Sequence, residues 1–428
     1  MKVYIETYGC RMNICDSEIL LAILAGEGFV QCDRIDEADI IILNCCSVRE
    51  VGHEKTYSRL EDIADKGLQE KTIVICGCFA TRLDSSLFKR FPFVDIVIGP
   101  DRYRDLPALL NNQDGHIILN GALTDEMYSD IVPLRTIEDK TTAAITIMKG
   151  CNQYCSYCIE PYTRGREHSR DMDSILRECR NIANQGYREL TFVGHIIDRY
   201  EFGFAELLDK AAASCPELRI KFLSSHPLTF TDDIVEVIGR HENIMRVVHL
   251  PVQSGADSVL ERMNRGYTVQ QYKERYRAIK REIQDISIVT DIMVGFCGET
   301  DDEFSQTLDL VRELDFDDIN VFQFSMRSGT SAFVKYKDDV PETIKIERYR
   351  AVCEARDAIK LAAYSRAIGE TVPVVVEGRW PGDLEYLFGR DDHLRTILFR
   401  ADLDIPVNAD AKVLITEVTA GAMKRVSV

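Results

Sequence analysis

Three cysteines lie close together in the run Cys151-Asn-Gln-Tyr-Cys155-Ser-Tyr-Cys158. Their Cys-x3-Cys-x2-Cys spacing is too short for a conventional disulfide staple, but a loop of this size can fold three thiolates around a soft metal centre. Three protein ligands leave a further coordination position open, which suits catalysis rather than structure. Zinc ribbons normally use paired Cys-x2-Cys motifs, and no second pair follows this run. The spacing therefore favours an iron–sulfur cluster with one free iron over a cysteine-rich loop without metal.

A second group of cysteines follows three predicted strands near the N-terminus. Cys10 comes after KVYIET, Cys45 and Cys46 come after DIIILN, and Cys76 and Cys78 lie at the end of TIVIC and just beyond it. The carboxyl ends of the strands form the ligand crevice of an open α/β sheet. One cysteine from each strand would thus converge on a second soft-metal site, unless all are small core residues. The residues alone do not choose between Cys45 and Cys46, or between Cys76 and Cys78.

The elements around this second group are short apolar strands that alternate with helices. This pattern predicts a parallel sheet covered on both faces, so residues 1–112 are predicted to form an open α/β domain. A helix from about Asp16 to Gly28 follows the first strand, because apolar residues recur there at helical spacing. Residues 113–136 have little periodicity and several turn-forming residues, and we predict that they are a linker.

The cysteine run follows the first strand of a second strand–helix series, which spans residues 137–368. Its strands are predicted at AAITIMKG, RELTFVG, IKFLSS, RVVHLPV, ISIVTDIMVG and INVFQFS. Six such units predict a partial (β/α)6 barrel with its chemistry at the carboxyl mouth, closed by a long helix at about Pro341 to Ile368. Residues 369–428 then alternate with period two, which predicts a small β-barrel of a kind often used to bind oligonucleotides.

Composition limits the function classes. A chain of 428 residues has room for about three domains. Its net charge of −18 is unfavourable for a nucleic-acid partner, although a local basic patch can still bind phosphates. The basic residues of the C-terminal segment are Arg379, Arg390, Arg395, Arg400, Lys424 and Arg425. No apolar run approaches the ~20 residues of a membrane span, and the start resembles a strand rather than a signal peptide. Fourteen cysteines then predict a reducing compartment, the cytoplasm.

With both cysteine groups in view, the chain resembles the radical S-adenosylmethionine (SAM) methylthiotransferases, and within them the MiaB-type enzymes that act on tRNA. The resemblance runs end to end and is carried by ETYGCRMN, LNCCSVRE, CGCFA, the cysteine run, YTRGREHSR, HLPVQSGAD and MNRGYT. It implies two 4Fe-4S clusters, one held by Cys151, Cys155 and Cys158. The family's second cluster falls on Cys10, Cys46 and Cys78. The C-terminal segment is similar to a TRAM domain, which implies contact with RNA.

The resemblance also implies a reaction: two SAM molecules, one a methyl donor and one a radical source, install a CH3S group on carbon 2 of N6-isopentenyladenosine beside the anticodon. An electron donor such as flavodoxin would be required. Two alternatives are a RimO-like enzyme that modifies a ribosomal protein aspartate, and a catalytically silent iron–sulfur RNA-binding protein. The second is encouraged by Gly194-His195-Ile196-Ile197-Asp198, where MiaB-type sequences usually read GQNVN, and by the acidic net charge. Cys297 is a further departure, because the family usually has proline there.

Further site residues are expected on the same basis. Contacts with SAM are predicted for residues of the cysteine loop and of strand ends, namely Tyr157, Gly194, Gln253, Ser254, Gly295 and Gly298. Tyr157 would pack on the adenine, and its alternative role is to anchor the loop to the core. Gln253 and Ser254 would hold the ribose or carboxylate. The glycines would offer backbone groups, and their alternative role is that of ordinary turn residues. Contacts with tRNA are predicted for Arg164, Arg166, Arg170, Arg265 and Arg390. His226 and His249 are predicted to be satisfied structural histidines.

Overall fold

The structure is a computed structural model that describes residues 1–47, 50–112, 115–120, 126–135, 141–400 and 405–425. Val48 and Arg49 of the LNCCSVRE motif and parts of the predicted linker lie outside the described residues, as do the side chains of residues 50–53 and of Arg425. No helix in the described ranges combines the length and the apolar character needed to cross a membrane.

The N-terminal domain is a parallel sheet whose described strands have the order β2-β1-β3-β4-β5-β6. The strands are β1 (Lys2–Tyr8), β2 (Val30–Gln31), β3 (Ile40–Cys45), β4 (Thr72–Cys76), β5 (Ile96–Ile98) and β6 (Ile117–Leu119). The helices are α1 (Arg11–Gly26), α2 (Glu50–Asp65), α3 (Ser86–Arg90) and α4 (Leu106–Asn111). Ile40 and Ile42 face one apolar core while Ile41 and Leu43 face another, which explains why β3 is apolar without alternation.

Two expectations for this domain need correction. Helix α1 begins at Arg11, directly after Cys10, and not near Asp16. Residues 117–119, which we predicted to lie in a linker, form β6 and pair in parallel with β5. Three apolar residues at a sheet edge are too short a run for periodicity to reveal, and their pairing is a tertiary contact.

The central domain contains the predicted strand series. Its strands are β7 (Thr142–Thr146), β8 (Met148–Lys149), β9 (His168–Ser169), β10 (Glu189–Val193), β11 (Arg219–Phe222), β12 (Val247–His249), β13 (Ser287–Val294) and β14 (Asp318–Gln323). The described strands pair as two parallel sheets, β11-β10-β7 and β12-β13-β14. The backbone of Ile220 connects them, since its N–H donates to Asn243 O at 2.8 Å and its carbonyl accepts from Met245 N at 2.9 Å. The result is a partial barrel in which strands follow chain order.

Helices cover the outside of this partial barrel. They are α5 (Glu160–Thr163), α6 (Met172–Asn184), α7 (Phe204–Ser214), α8 (Asp232–Arg240), α9 (Asp257–Arg262), α10 (Val269–Glu282), α11 (Asp301–Glu313), α12 (Ser331–Lys335) and α13 (Glu342–Ser365). The short antiparallel pair of β8 and β9 brackets the cysteine loop and α5, and so closes that loop at its base. The loop is therefore attached directly to the carboxyl end of the first barrel strand.

Buried ion pairs join the N-terminal domain to the barrel. Asp16 of α1 binds Arg164 at 2.6 Å, and Asp101 binds Lys149. Met12 of the same helix packs with Val193 of β10. Because these contacts come from residues flanking both cysteine groups, they set the position of one group relative to the other.

Arg135 makes a third such connection and provides a test of it. Its guanidinium donates to Glu18 at 2.6 Å and also to Glu178, and the three side chains are 7 %, 4 % and 6 % exposed. Removing one partner of a buried ion pair leaves an uncompensated charge. We expect Arg135→Met to lower the free energy of unfolding by about 3–5 kcal/mol, measured by denaturant titration.

A matched control exists for this substitution. Arg240 also bridges two carboxylates, Asp209 and Glu236, but its side chain is 51 % exposed. Because solvent screens exposed pairs, Arg240→Met should leave the unfolding midpoint nearly unchanged. Equal effects of the two substitutions would contradict the role of Arg135 in joining the domains.

The C-terminal segment forms one curled sheet with the described order β18-β15-β16-β17-β20-β19. Its strands are β15 (Thr371–Arg379), β16 (Tyr386–Arg390), β17 (Thr396–Arg400), β18 (Asp410–Leu414), β19 (Glu417–Val418) and β20 (Met423–Arg425). Arg188 donates to Asp410 at 2.7 Å, Arg219 donates to the carbonyl of Arg390 at 3.2 Å, and Ser287 bonds His393 at 3.1 Å. Because Arg188 precedes β10 while Arg219 and Ser287 begin β11 and β13, this sheet sits at the amino ends of the barrel strands.

Candidate active site

The N-terminal cysteines lie where three neighbouring strands end. Cys10 follows β1, Cys46 follows β3 and Cys78 follows β4, and these strands are adjacent in the sheet. Cys10 and Cys46 share a hydrogen bond through their side chains. The convergence predicted from strand order is therefore present in the structure.

A buried amide network holds the backbone at this edge. Asn13 Oδ1 accepts from the backbone N–H and the thiol of Cys10, at 3.3 and 3.4 Å, and Asn13 Nδ2 donates to Asn44 Oδ1 at 2.9 Å. Gly77 has φ +87°, and a Cβ there would lie 2.3 Å from Asn44 Oδ1. A glycine is thus required before Cys78, because only glycine combines this φ with such a close approach.

Cys45 and Cys76, the other two cysteines at these strand ends, are core residues. Cys45 is fully buried and its thiol donates to the carbonyl of Leu43 at 3.5 Å. Cys76 is fully buried in the core on the other face of the sheet. Cys45 and Cys76 are the last residues of their strands, so their side chains point into the cores on the faces of the sheet. Cys46 and Cys78 come after the strands and lie at the edge of the sheet.

The barrel cysteines are held by loops from several strands. Cys151 N–H donates to Gly165 O at 3.1 Å, and Ser156 N–H donates to Met263 O at 2.9 Å. Gly150 has φ +75°, and a Cβ there would collide with Arg166 O at 1.7 Å. The cysteine loop is therefore clamped between the loop that follows α5 and the one that follows α9.

Both cysteine groups face one cavity of about 460 Å3 at the carboxyl ends of the barrel strands. Its wall includes Cys10 and Cys78 from the N-terminal domain together with Cys151, Cys155 and Cys158 from the barrel. Within the described residues, no group of three or more His, Cys, Asp or Glu side chains is placed to hold a single metal ion. Cysteine thiols are the ligands that soft metals and iron–sulfur clusters use, and both groups present them to the same space.

Each cysteine group has one sulfur that accepts a hydrogen bond from a buried arginine, and the two groups use different arginines. Arg164 Nε donates to Cys78 Sγ at 3.0 Å, and Arg265 Nη1 donates to Cys155 Sγ at 3.2 Å. The two arginines are 2 % and 6 % exposed. We predicted that both contact tRNA, but guanidinium groups turned inward in this way cannot reach a phosphate backbone. Their N–H donors point instead at sulfurs of the two cysteine groups.

The other three arginines that we predicted to contact RNA differ in their exposure. Arg170 is 7 % exposed and its guanidinium binds Glu178, so its predicted contact with tRNA is also incompatible with the structure. Arg390 is half-buried and binds Glu377 at 2.8 Å beside the barrel interface. Arg166 is exposed and stays a predicted RNA contact.

Three of the basic residues predicted for the C-terminal sheet, Arg390, Arg395 and Arg400, lie beside carboxylates. Arg395 binds Asp391 at 2.6 Å, and Arg400 lies 3.5 Å from Glu385. Arg379 donates to the carbonyl of Leu384 at 3.0 Å. These contacts join residues that are close in the sheet but that a count of arginines does not connect.

Three histidines line the cavity: His195, and the two that we predicted to be satisfied structural histidines, His226 and His249. His249 bonds Asp291 Oδ1 at 2.8 Å and accepts from Ser224 N–H at 3.2 Å, so both ring nitrogens have partners. His226 differs, because its Nε2 is buried without a hydrogen-bond partner among the described residues. Burial and the nearby charge of Arg265 lower the pKa of His226 to about 3, which keeps it neutral at physiological pH.

His195, in the segment that departs from the usual GQNVN, bonds Glu160 at 2.8 Å across the cavity wall. Ile197 is fully buried, and Asp198 accepts from Thr229 Oγ1 at 2.8 Å. Burial raises the pKa of Asp198 to about 6. The departure thus replaces amides with an imidazole–carboxylate pair, so the wall remains polar.

A second chamber of about 250 Å3 adjoins the first. Tyr157 and Gln253 line both chambers, as do Cys158 and Asp291, while Phe324 lines only the second. Periodicity did not single out Asp291 or Phe324. Phe324 directly follows β14, where ligand-binding residues are expected, whereas Asp291 lies within β13.

Three predicted SAM contacts, Ser254, Gly295 and Gly298, are not among the residues that line these two chambers. Ser254 is fully buried and bonds Thr307 at 3.2 Å. The N–H groups of Gly295 and Gly298 donate to Glu299 and to Asp339, each at 2.7 Å. Their hydrogen-bonding groups are thus used within the protein. Gly194, by contrast, does line the larger cavity.

The cavity wall carries polar atoms that need a ligand or solvent. His195 Nδ1, Ser225 Oγ and His226 Nε2 are buried, and none has a hydrogen-bond partner among the described residues. Unsatisfied buried polar atoms are uncommon in folded proteins. Together with the thiols and the inward arginines, they fit a cavity built for polar cofactors.

Cys10 should be the most reactive of these thiols in cluster-free protein. The hydrogen bond from Cys46 and the charge of Arg164 lower the pKa of Cys10 to about 6, whereas burial raises that of Cys78 to about 12. Because the thiolate is the nucleophile, alkylation of Cys10 should rise with pH through about 6 and then level. Peptide mass spectrometry of the alkylated apoprotein would measure this, and faster labelling of Cys32 would contradict it.

Two families match the two cysteine domains. Residues 145–311 match the Radical SAM superfamily, and residues 2–99 match Uncharacterized protein family UPF0004. Among solved structures, the radical S-adenosylmethionine methyltransferase TsrM from Kitasatospora setae, with cobalamin and a [4Fe-4S] cluster bound, has a TM-score of 0.60 at 14 % identity over 86 % of this chain and 78 % of its own. Fold and site thus define a radical SAM protein with an added N-terminal cysteine domain.

Curated relatives narrow this class. A tRNA-2-methylthio-N(6)-dimethylallyladenosine synthase of Parabacteroides distasonis is 38 % identical over 93 % of this chain and 89 % of its own length. One of Chloroherpeton thalassium is 38 % identical over 99 % and 95 %. The chain belongs to the family of the tRNA-2-methylthio-N(6)-dimethylallyladenosine synthases.

Proposed function

We propose that the protein replaces the hydrogen on carbon 2 of N6-dimethylallyladenosine in tRNA, beside the anticodon, with a CH3S group. The observation that carries this is that the two cysteine groups, which come from separate domains, line one cavity. A radical made at one group would otherwise have to travel to meet sulfur at the other. The cofactors are SAM and two 4Fe-4S clusters.

The proposed cluster ligands are supported by the cavity wall and by the convergence of three strand ends. Cys151, Cys155 and Cys158 would hold one cluster, and Cys10, Cys46 and Cys78 would hold the other. When bound, the clusters supply radical initiation from SAM and the sulfur for transfer. The protein contributes position and charge: its buried ion pairs hold the two cysteine groups in register, and Arg164 and Arg265 donate to one sulfur in each.

The remaining wall residues orient SAM and the base. Tyr157 offers an aromatic face where the two chambers meet, with Phe324 beyond it. The His249–Asp291 pair and Gln253 present polar groups to the same space. These buried and half-buried side chains would limit access of bulk water, which protects a reactive intermediate from side reactions.

The partners follow from this reaction. An electron donor such as flavodoxin would reduce the SAM-binding cluster, and a tRNA substrate places the reaction in the cytoplasm. The anticodon stem-loop would present its adenosine at the carboxyl mouth of the barrel, with exposed Arg166 close to the cysteine loop. Three domains would serve this reaction: an N-terminal cysteine domain, a partial barrel and a TRAM-like C-terminal sheet.

The test is a reaction with anaerobically prepared, iron-loaded protein, SAM, a reductant and tRNA bearing N6-dimethylallyladenosine. Nucleoside mass spectrometry should show that the modified adenosine gains CH3S in place of one hydrogen, together with 5′-deoxyadenosine. Production of 5′-deoxyadenosine without any change in the nucleoside would contradict the proposal. Binding of this tRNA should weaken as salt concentration rises.

A further inference from the structure

Two exposed tyrosines stand beside the cysteine loop. Tyr154, inside the cysteine run, is 42 % exposed, and Tyr162 of α5 is 45 % exposed. Their ring centroids are 6.1 Å apart with an interplanar angle of 78°. The residues on either side of Tyr154 line the cavity, as does Glu160, two positions before Tyr162. The ring pair is therefore next to the site where the base must enter.

Tyr154 is held in this position at an energetic cost. Its φ is +50°, a left-handed conformation that is unfavourable for an aromatic residue. Asn264 Nδ2 donates to the carbonyls of Tyr154 at 3.0 Å and Gln153 at 3.2 Å, and Gln153 Nε2 donates to Arg265 O at 3.1 Å. Strained backbone of this kind persists where the surroundings impose it, and it concentrates at ligand-binding sites.

The chemistry of the pair favours unpaired nucleotides. Single-stranded RNA is bound largely by stacking of bases on aromatic side chains, which is independent of net charge. In a chain of net charge −18, attraction to phosphate must come from local cations, and stacking adds affinity that does not depend on charge. Exposed Arg166 adds one cation near the loop, since its carbonyl packs against Gly150.

We propose that Tyr154 and Tyr162 form a stacking platform for the unpaired nucleotides that flank the target adenosine in the anticodon loop. The proposal rests on the proposed function, because it needs a tRNA substrate. One ring would stack on a flanking base and the other would support it edge-on. The adenosine could then turn into the cavity while its neighbours stay outside.

The test measures binding of an anticodon stem-loop RNA, with 2-aminopurine next to the target adenosine, to iron-loaded protein without reductant. Tyr154→Leu and Tyr162→Leu should each weaken binding about tenfold, because stacking is worth roughly 1–3 kcal/mol per base. Tyr154→Phe keeps an aromatic face and should bind like the wild type. The 2-aminopurine should be quenched by the wild type and by Tyr154→Phe, but much less by the leucine variants.

Two controls keep the outcomes distinct. Iron content must be equal in all variants, and Tyr162 lies outside the cysteine run, so its substitution does not disturb the cluster loop. The ratio of affinities between wild type and leucine variants should be the same at low and high salt, since a stacking contact releases no counterions.

If the wild type binds the RNA and both leucine variants bind it with the same affinity, the stacking platform is wrong, but the proposed function is unaffected. Loss of reduction by the electron donor with intact RNA binding would also overturn the stacking platform, and would assign the tyrosines to a protein contact. A wild-type protein that does not bind this RNA would overturn the proposed function together with the inference.

Discussion

Alanine at Cys10, Cys46 and Cys78 should lower the iron content of the anaerobically prepared protein from about eight to about four atoms per chain. These cysteines converge at the ends of three adjacent strands, whereas the barrel cysteines are held by separate loops. The cluster at Cys151, Cys155 and Cys158 should therefore survive and still cleave SAM, while methylthio transfer is abolished. Iron and sulfide analysis with Mössbauer spectroscopy would measure this.

The neighbouring cysteines provide a matched control. Cys45 and Cys76 lie next to the proposed ligands in sequence but are buried in the two cores of the N-terminal domain. Cys45→Ala/Cys76→Ala should therefore retain about eight irons. An unchanged iron count in the first variant would mean that the N-terminal cysteines hold no cluster, and the proposed reaction would then be wrong.

Arg164→Gln should lower the reduction potential of the N-terminal cluster and leave that of the barrel cluster unchanged, while Arg265→Gln should do the reverse. Hydrogen bonds to ligand sulfurs stabilise the more negative, reduced cluster, and each arginine donates to a sulfur of one group only. Potentiometric titration followed by electron paramagnetic resonance would measure both potentials. Shifts of both clusters in either variant would contradict this separation.

A second variant separates the potential from stability. Arg164→Gln leaves Asp16 buried without its cation and should cost about 3–5 kcal/mol of unfolding free energy. Asp16→Asn/Arg164→Gln removes that charge and should regain most of the stability. The lowered potential should persist in the double variant, because the N–H···S bond to Cys78 is still missing. Recovery of the potential along with stability would show that Arg164 acts only through packing.

The arginines show where reasoning from sequence ended. Arg164, Arg170 and Arg265 were predicted to contact tRNA because arginine suits phosphate and because they follow loops at the barrel mouth. A sequence does not show which way a side chain points. Asp16 and Cys155, the buried partners of Arg164 and Arg265, lie more than a hundred positions away, whereas Glu178 is only eight positions from Arg170. Their roles depend on packing of the N-terminal domain and of distant loops against the barrel.

The cysteine spacing and the strand–helix alternation are local properties, and they were sufficient to predict two soft-metal sites on parallel α/β domains. Spacing within one short loop predicts Cys151, Cys155 and Cys158 without knowledge of the fold, and strand ends predict convergence of the other group. Resemblance to the methylthiotransferases then assigned Cys46 and Cys78 over Cys45 and Cys76.

Only the tertiary structure decided how the two sites relate to one another. The shared cavity and the inward position of Arg164 and Arg265 depend on contacts between residues more than a hundred positions apart. The histidines that line the cavity likewise depend on contacts between separate elements. Strand β6 and the position of the C-terminal sheet at the amino ends of the barrel strands have the same origin. Local spacing specifies which residues can do chemistry, whereas buried charge pairing between domains specifies which of them meet.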